Sequence, residues 1–240
     1  MVKFVALLTS LAVSITAYAN TQVVPIAPFK AQYNILHKGD PVGKGYRELS
    51  YQDDGSVKYS YQTNLKWMIF TDKRKETSIV NVADNKVQLN EYNFERSGTG
   101  RDKKYRWQYF PEENKALNLV KDKQLTVDFS EGVQDKLSYH LQQRLAFIEN
   151  PKQDAFDYDV ISTSGKIKNY RYEFVGEEEL MLPYGLIKAL KYKREVAEKD
   201  RVTYAWFAPE LDYLLVRLYQ IKEGVDQFEA QLDKLDVKQL

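Results

Sequence analysis

Few residues in this 240-residue chain have the types and spacing that chemistry requires. There are two histidines, His37 and His140, and no cysteine. Thiolate nucleophiles, disulfides, iron–sulfur clusters and zinc–thiolate sites are therefore excluded, and a His-rich metal site lacks ligands. No Gly-x-Ser-x-Gly elbow occurs. Glu177, Glu178 and Glu179 are adjacent in a chain with 34 acidic residues, and carry no specific glycosidase or metal signature. Ser97-Gly98-Thr99-Gly100-Arg101 resembles a phosphate loop in composition. It lacks the Gly-Lys-Ser/Thr ending and precedes a strand pattern, which makes it a hairpin turn. His37 falls in a turn with Gly39 and Asp40. His140 lies at the margin of a helical stripe, either as a buried base beside Asp135 or, more plainly, as a helix-edge side chain. No catalytic residue, cofactor or metal ligand is assigned.

Two sets remain as binding candidates. Arg194, Arg201 and Arg217 offer bidentate forks for an anionic headgroup, or ion pairs for Glu173, Glu179 and Glu195. Trp206, Tyr172, Phe174 and Trp107, with the helix residues Leu141 and Leu145, would line a groove for an apolar ligand. The same aromatic residues equally suit the packed inner face of a sheet.

Period-two alternation supplies the elements that must hold them. Tyr59, Tyr61 and Thr63 share a face, as do Tyr105, Trp107 and Tyr109, then Tyr170, Tyr172 and Phe174, then Tyr204 and Trp206. Turn signals such as Asp53-Asp54-Gly55, Ala83-Asp84-Asn85 and Lys222-Glu223-Gly224 separate these runs, predicting a meander of ten or more antiparallel strands. One stretch breaks the rhythm. Val133, Leu137, Leu141, Leu145 and Ile148 follow helical spacing, predicting one amphipathic helix over about 133–149, with Ser130 and Glu131 at its start and Asn150-Pro151 at its end. So many strands cannot stay an open flat sheet. The expected fold is mainly β (α+β): a large curved antiparallel meander sheet or incomplete barrel wrapped around one helix, as a single domain over 20–240.

Composition narrows the setting. Lys plus Arg number 35 against 34 Asp plus Glu, a net charge of +1 that argues against a nucleic-acid binder. Residues 1–19 read as a removed signal peptide: Lys3, an apolar run from Phe4 to Ile15, and the small-x-small site Ala17-Tyr18-Ala19. Losing Lys3 leaves 34 positive (35 less one) against 34 negative residues. The apolar run is too short to span a bilayer, and no cysteine follows the cleavage site for lipidation. A soluble periplasmic protein is expected, neither a lipoprotein nor membrane-anchored after cleavage.

The C-terminal half carries a recognisable pattern. Tyr172-Glu173-Phe174, Gly176, Pro183, Gly185, Arg194, Arg201, Trp206-Phe207-Ala208-Pro209, Leu215-Val216-Arg217 and Glu223-Gly224 resemble the exported bacterial family catalogued as domain of unknown function 3108. Gly43, Gly45 and Asp135-x-x-Ser138 add weaker matches. The resemblance implies a periplasmic, mostly β protein, similar in architecture to the lipoprotein-carrier half-barrels. The expected function is a non-enzymatic binder or carrier of a lipid or other amphipathic envelope ligand. The alternatives are an interaction module pairing its sheet edges with an envelope protein partner, and an enzyme on glycans or lipids.

Overall fold

The computed structural model describes residues 26–130 and 132–238. The expected signal segment 1–19 and the expected cap residue Glu131 lie outside the described residues. The first half contains β1 (Phe29–His37), β2 (Asp40–Tyr51), β3 (Val57–Trp67), β4 (Phe70–Ala83), β5 (Lys86–Gly98), β6 (Lys103–Phe110), β7 (Lys115–Asn118) and β8 (Lys123–Thr126). After β9 (Gln134–Asp135) and the helix α1 (Ser138–Glu149) come β10 (Ala155–Ile161), β11 (Ile167–Leu182), β12 (Gly185–Val196), β13 (Arg201–Ala208), β14 (Leu214–Lys222) and β15 (Val225–Val237).

All these strands form one sheet, ordered β8 through β1 and then β15 back through β9. Two meanders are thus joined at the central β1–β15 ladder, and every ladder is antiparallel except the short β9–β10 contact. The expected turns occur where the residues dictate. Asp84 and Asn85 both take positive φ, as do Glu223 and Gly224, giving two-residue hairpins that match strand twist. Alternation sends Phe29, Ala31, Tyr33 and Ile35 of β1 inward while Lys30 is exposed.

The sheet curls until its flanks meet. Trp107 of β6 donates from Nε1 to the Thr163 carbonyl in the β10–β11 turn (3.0 Å), and Gln134 of β9 donates to the Val87 carbonyl of β5 (3.1 Å). Gly165, at φ +86, permits the first contact: a Cβ there would stand 2.9 Å from the Trp107 ring and 2.7 Å from Leu125. The result is the expected incomplete barrel, with side-chain bridges where a closed barrel would have a ladder.

The helix begins five residues later than its apolar spacing predicts. Gln134 and Asp135 pair in parallel with Val160 and Ile161, so this stretch is committed to the sheet. The Asp135 carboxylate then accepts from the Leu137 and Ser138 N–H groups (2.8 and 2.7 Å), and Ser138 Oγ accepts from the Asp135 N–H (2.9 Å). This reciprocal arrangement satisfies helix-start donors. Ser130 instead bonds Asp128. The helix ends as expected, at Glu149.

Inside the curl, Leu141 and Leu145 are fully buried in the main core. Phe147 is the centre of a second cluster, with ring centroids of Phe156, Tyr213, Phe207 and Tyr192 at 4.5, 4.8, 5.2 and 5.3 Å. Twelve helical residues extend roughly 18 Å, whereas the 14 residues of β4 extend roughly 46 Å. The helix therefore fills one end of the concave face and leaves the other uncovered.

Candidate ligand-binding cleft

The uncovered end lies beneath the β1–β2, β3–β4 and β14–β15 turns. Val42, Leu65, Trp67, Phe70 and Phe228 line an apolar cavity of about 330 Å³ there. His37 walls one side, its ring centroid 4.7 Å from Trp67 and 5.5 Å from Phe228, and its Nδ1 donates to the Gln227 carbonyl (2.5 Å). A recess of about 180 Å³ shares Leu65 and Phe228 with this cavity and continues inward between Ile35, Tyr61, Thr63, Leu218 and Ala230. The β1–β2 register shifts beside Val42, where Gly43 at φ +155 lies so close to β3 that a Cβ would meet the Asn64 carbonyl oxygen at 2.1 Å. Glycine at this position lets β2 and β3 converge on the cleft.

Polar groups stand at both ends of the cleft. At the mouth, Asp72 bridges Arg74 and Arg96, each at 2.9 Å. Partial burial works to raise its pKa, but the hydrogen bonds and charges of the two arginines prevail and hold it below the usual carboxylate range. At the inner end, Tyr61 lies under the Arg47 guanidinium at 5.4 Å. Arg47 donates to the Tyr59 hydroxyl (3.2 Å) and approaches His140 Nε2 (3.4 Å). Burial pushes the His140 pKa well below its ordinary value, assisted by the positive charges of Arg47, Arg194 and Lys136. Among the described residues no carboxylate ion-pairs with Arg47, Arg144 or Arg194. Arg47 and Arg144 are buried and Arg194 is half-buried; a buried cation without an acid is costly and favours an anion.

Asp135 is the reverse case. It is fully buried, and burial pushes its pKa up to about 6 despite hydrogen bonds from Ser78, Ser138 and Leu137. Its neighbours on every side are donors that shape the helix start, which identifies it as a structural group rather than a cleft residue.

The residues selected from sequence are not gathered into one groove. Trp107, Leu141 and Leu145 are completely buried, and Tyr172 sits with Tyr139 and Phe156 in the second core cluster. Trp206 is buried in the main core cluster, whereas its strand neighbours Ala205 and Phe207 belong to the second cluster. Its Nε1 donates to Glu178 (2.8 Å), and the Lys191 ammonium and Arg217 guanidinium lie over its ring at 5.1 and 4.6 Å. Phe174 is exposed and lines a separate small depression beside Pro151 and Tyr192.

The three arginines also separate. Arg217 shares the Trp206 face and pairs with Glu229 (2.7 Å). Arg194 and Arg201 share the opposite face by register, each with a buried Nε lacking a partner, and Arg194 lies 3.5 Å over the Tyr170 ring. Sequence reasoning missed Val42, Leu65, Trp67, Phe70 and Phe228. The available signal was Trp67-Met68-Ile69-Phe70, an apolar run at a point where a polar turn belongs.

The family model for a protein of unknown function, DUF3108, matches residues 42–233. The chain belongs to the DUF3108 family. A comparison with curated proteins found no match. Among solved structures, the DUF3108 chain is similar to a beta-barrel-like protein of domain of unknown function DUF1849 from Brucella abortus. That likeness has a TM-score of 0.60 at 10% identity, over 90% of this chain and 100% of the other, and shows a shared fold. Two more distant likenesses are described as an exported protein with a YmcC-like fold from Bacteroides fragilis and a lipoprotein from Parabacteroides distasonis. The first has TM-score 0.35 at 9% identity, over 87% and 95% of the two chains. The second has TM-score 0.36 at 12% identity, over 88% and 95%.

Proposed function

We propose that this DUF3108 protein is an exported, non-enzymatic binder or carrier of an amphipathic envelope ligand, periplasmic in location. The alkyl part occupies the cleft between Ile35, Leu65, Phe228 and Ala230, and the polar end meets the cationic side chains at the mouth. Export rests on the signal-like pattern of residues 1–19. The observation that carries the ligand reading is the continuous apolar cleft left open beyond the start of the helix. Clefts of a few hundred Å³ lined by apolar and aromatic groups, with few convergent polar ones, suit small amphiphiles. Each buried methylene contributes about 0.8 kcal/mol, so a chain of several carbons suffices for useful affinity. Pairing to a protein partner through the sheet edges has less to work with, because β8 has four residues and β9 two.

Native mass spectrometry of protein purified from an envelope fraction, with displacement of a fluorescent fatty-acid probe, tests the reading. The expected result is a stoichiometric bound mass or one saturable probe site competed by fatty acids or phospholipids. A homogeneous unliganded mass together with no probe binding would overturn it.

A further inference from the structure

The β3–β4 hairpin inverts the usual character of a turn. Trp67, Met68, Ile69 and Phe70 follow one another at its tip, exposed by 45, 75, 82 and 50%. Four consecutive exposed apolar residues mark a surface meant to be covered. The tip is also held in place: the Thr99 N–H donates to the Thr71 carbonyl (3.0 Å), the Thr71 N–H donates to Thr99 Oγ1 (2.9 Å), and His37 packs on Trp67.

A basic collar stands behind it. Lys66, Lys73 and Lys75 lie on the two strands, and Arg101 and Lys103 on the β5–β6 hairpin that braces the tip. None of these five forms an ion pair with a described residue, and the nearby acids also without one are Asp40, Asp102 and Asp226, the last accepting from the Tyr219 hydroxyl. At about 3.3 Å per strand residue, Lys66 is one step from Trp67 and Lys73 about 10 Å behind Phe70. Amphipathic elements seat their apolar face roughly 5–10 Å into the headgroup and acyl boundary. An inserted tip therefore brings the collar to the level of the phosphates.

We propose that the β3–β4 hairpin docks the protein on a lipid bilayer surface that carries anionic headgroups. The tip supplies apolar insertion and the collar supplies charge complementarity. This docking needs no ligand in the cleft, so it stands or falls separately from the carrier reading.

Tryptophan fluorescence tests it directly, because Trp107 and Trp206 are buried and only Trp67 is exposed. The chain from residue 20 onward retains every described strand and the helix, which start at Phe29. It is mixed with vesicles of phosphatidylcholine alone or containing phosphatidylglycerol. The expected result is a blue shift and co-sedimentation with the anionic vesicles, weakened by salt. The double substitution Met68→Asp, Ile69→Asp lowers partitioning at least about tenfold, and Lys73→Gln lowers it about fivefold. Met68, Ile69 and Lys73 are all solvent-exposed, so unchanged thermal unfolding confirms that the variants are folded. Trp67 emission unmoved by either vesicle, or binding retained in the double variant, would overturn the proposal; the first result would leave the tip to a protein partner.

Discussion

The two ends of the concave face are built from the same kinds of residue and finish in opposite states. At the helix end, Phe147, Phe156, Tyr192 and Phe207 interlock ring to ring and exclude solvent. At the other end, Trp67, Phe70 and Phe228 are similarly placed on strands but remain half-exposed around a cleft. Aromatic content does not separate core from site. The reach of one twelve-residue helix does, because wherever it packs the wall becomes core, and beyond it the wall becomes a lining.

Three kinds of substitution sharpen this contrast, beginning with the largest effect. Phe147→Ala removes the ring on which four others converge, and is expected to cost about 3–5 kcal/mol in urea unfolding. A loss below about 1 kcal/mol would mean that the helix end is loosely filled and the contrast false.

Next come the buried ionisable groups of the helix. The neutral Asp135 carboxyl is favoured in the fold, with its pKa at about 6. The stability it contributes is complete below its ordinary value of 3.8 and is lost as pH rises through about 6, amounting to about 3 kcal/mol. His140 has the opposite sign: its pKa is depressed, so its contribution is present above 6.5 and is lost as pH falls. Asp135→Asn should therefore flatten the decline between pH 4 and 7, and His140→Gln should flatten the loss on the acid side. Variants whose stability curves run parallel to the parent across that range would contradict these assignments.

The smallest stability effect is expected at the open end. Ala230 faces the recess beside Leu218 and Ile35, its partners across the two ladders. Ala230→Trp should fill that space and change unfolding by no more than about 1 kcal/mol.

Much of the fold was legible from residue order. Alternation in β3, β6 and β13 and the Asp-Asn and Glu-Gly turns specify local geometry through side-chain periodicity and positive φ, both properties of a few neighbouring residues. The helix start was not, because the first five positions satisfy helical spacing while two of them, Gln134 and Asp135, pair with β10, a contact more than twenty residues distant. The site was less legible still. Trp206 and Tyr172 have the composition of a lining, but which face each wall presents to the helix depends on the whole curl. Arg194 and Arg217 look alike in sequence and lie on opposite faces by register. The cleft depends on where a helix begins against strands far away in the chain, and only the apolar Trp67–Phe70 run gave a local sign of it.

The central claim is that the end of the barrel left open by the helix is a ligand site. Titration of a fluorescent fatty-acid probe into the parent protein and Ala230→Trp, with folding checked by urea unfolding, tests it most directly. The account predicts one saturable site in the parent and an affinity at least about tenfold lower in the variant, at nearly unchanged stability. Equal probe affinity in the two proteins, or no probe binding by the parent, would contradict it.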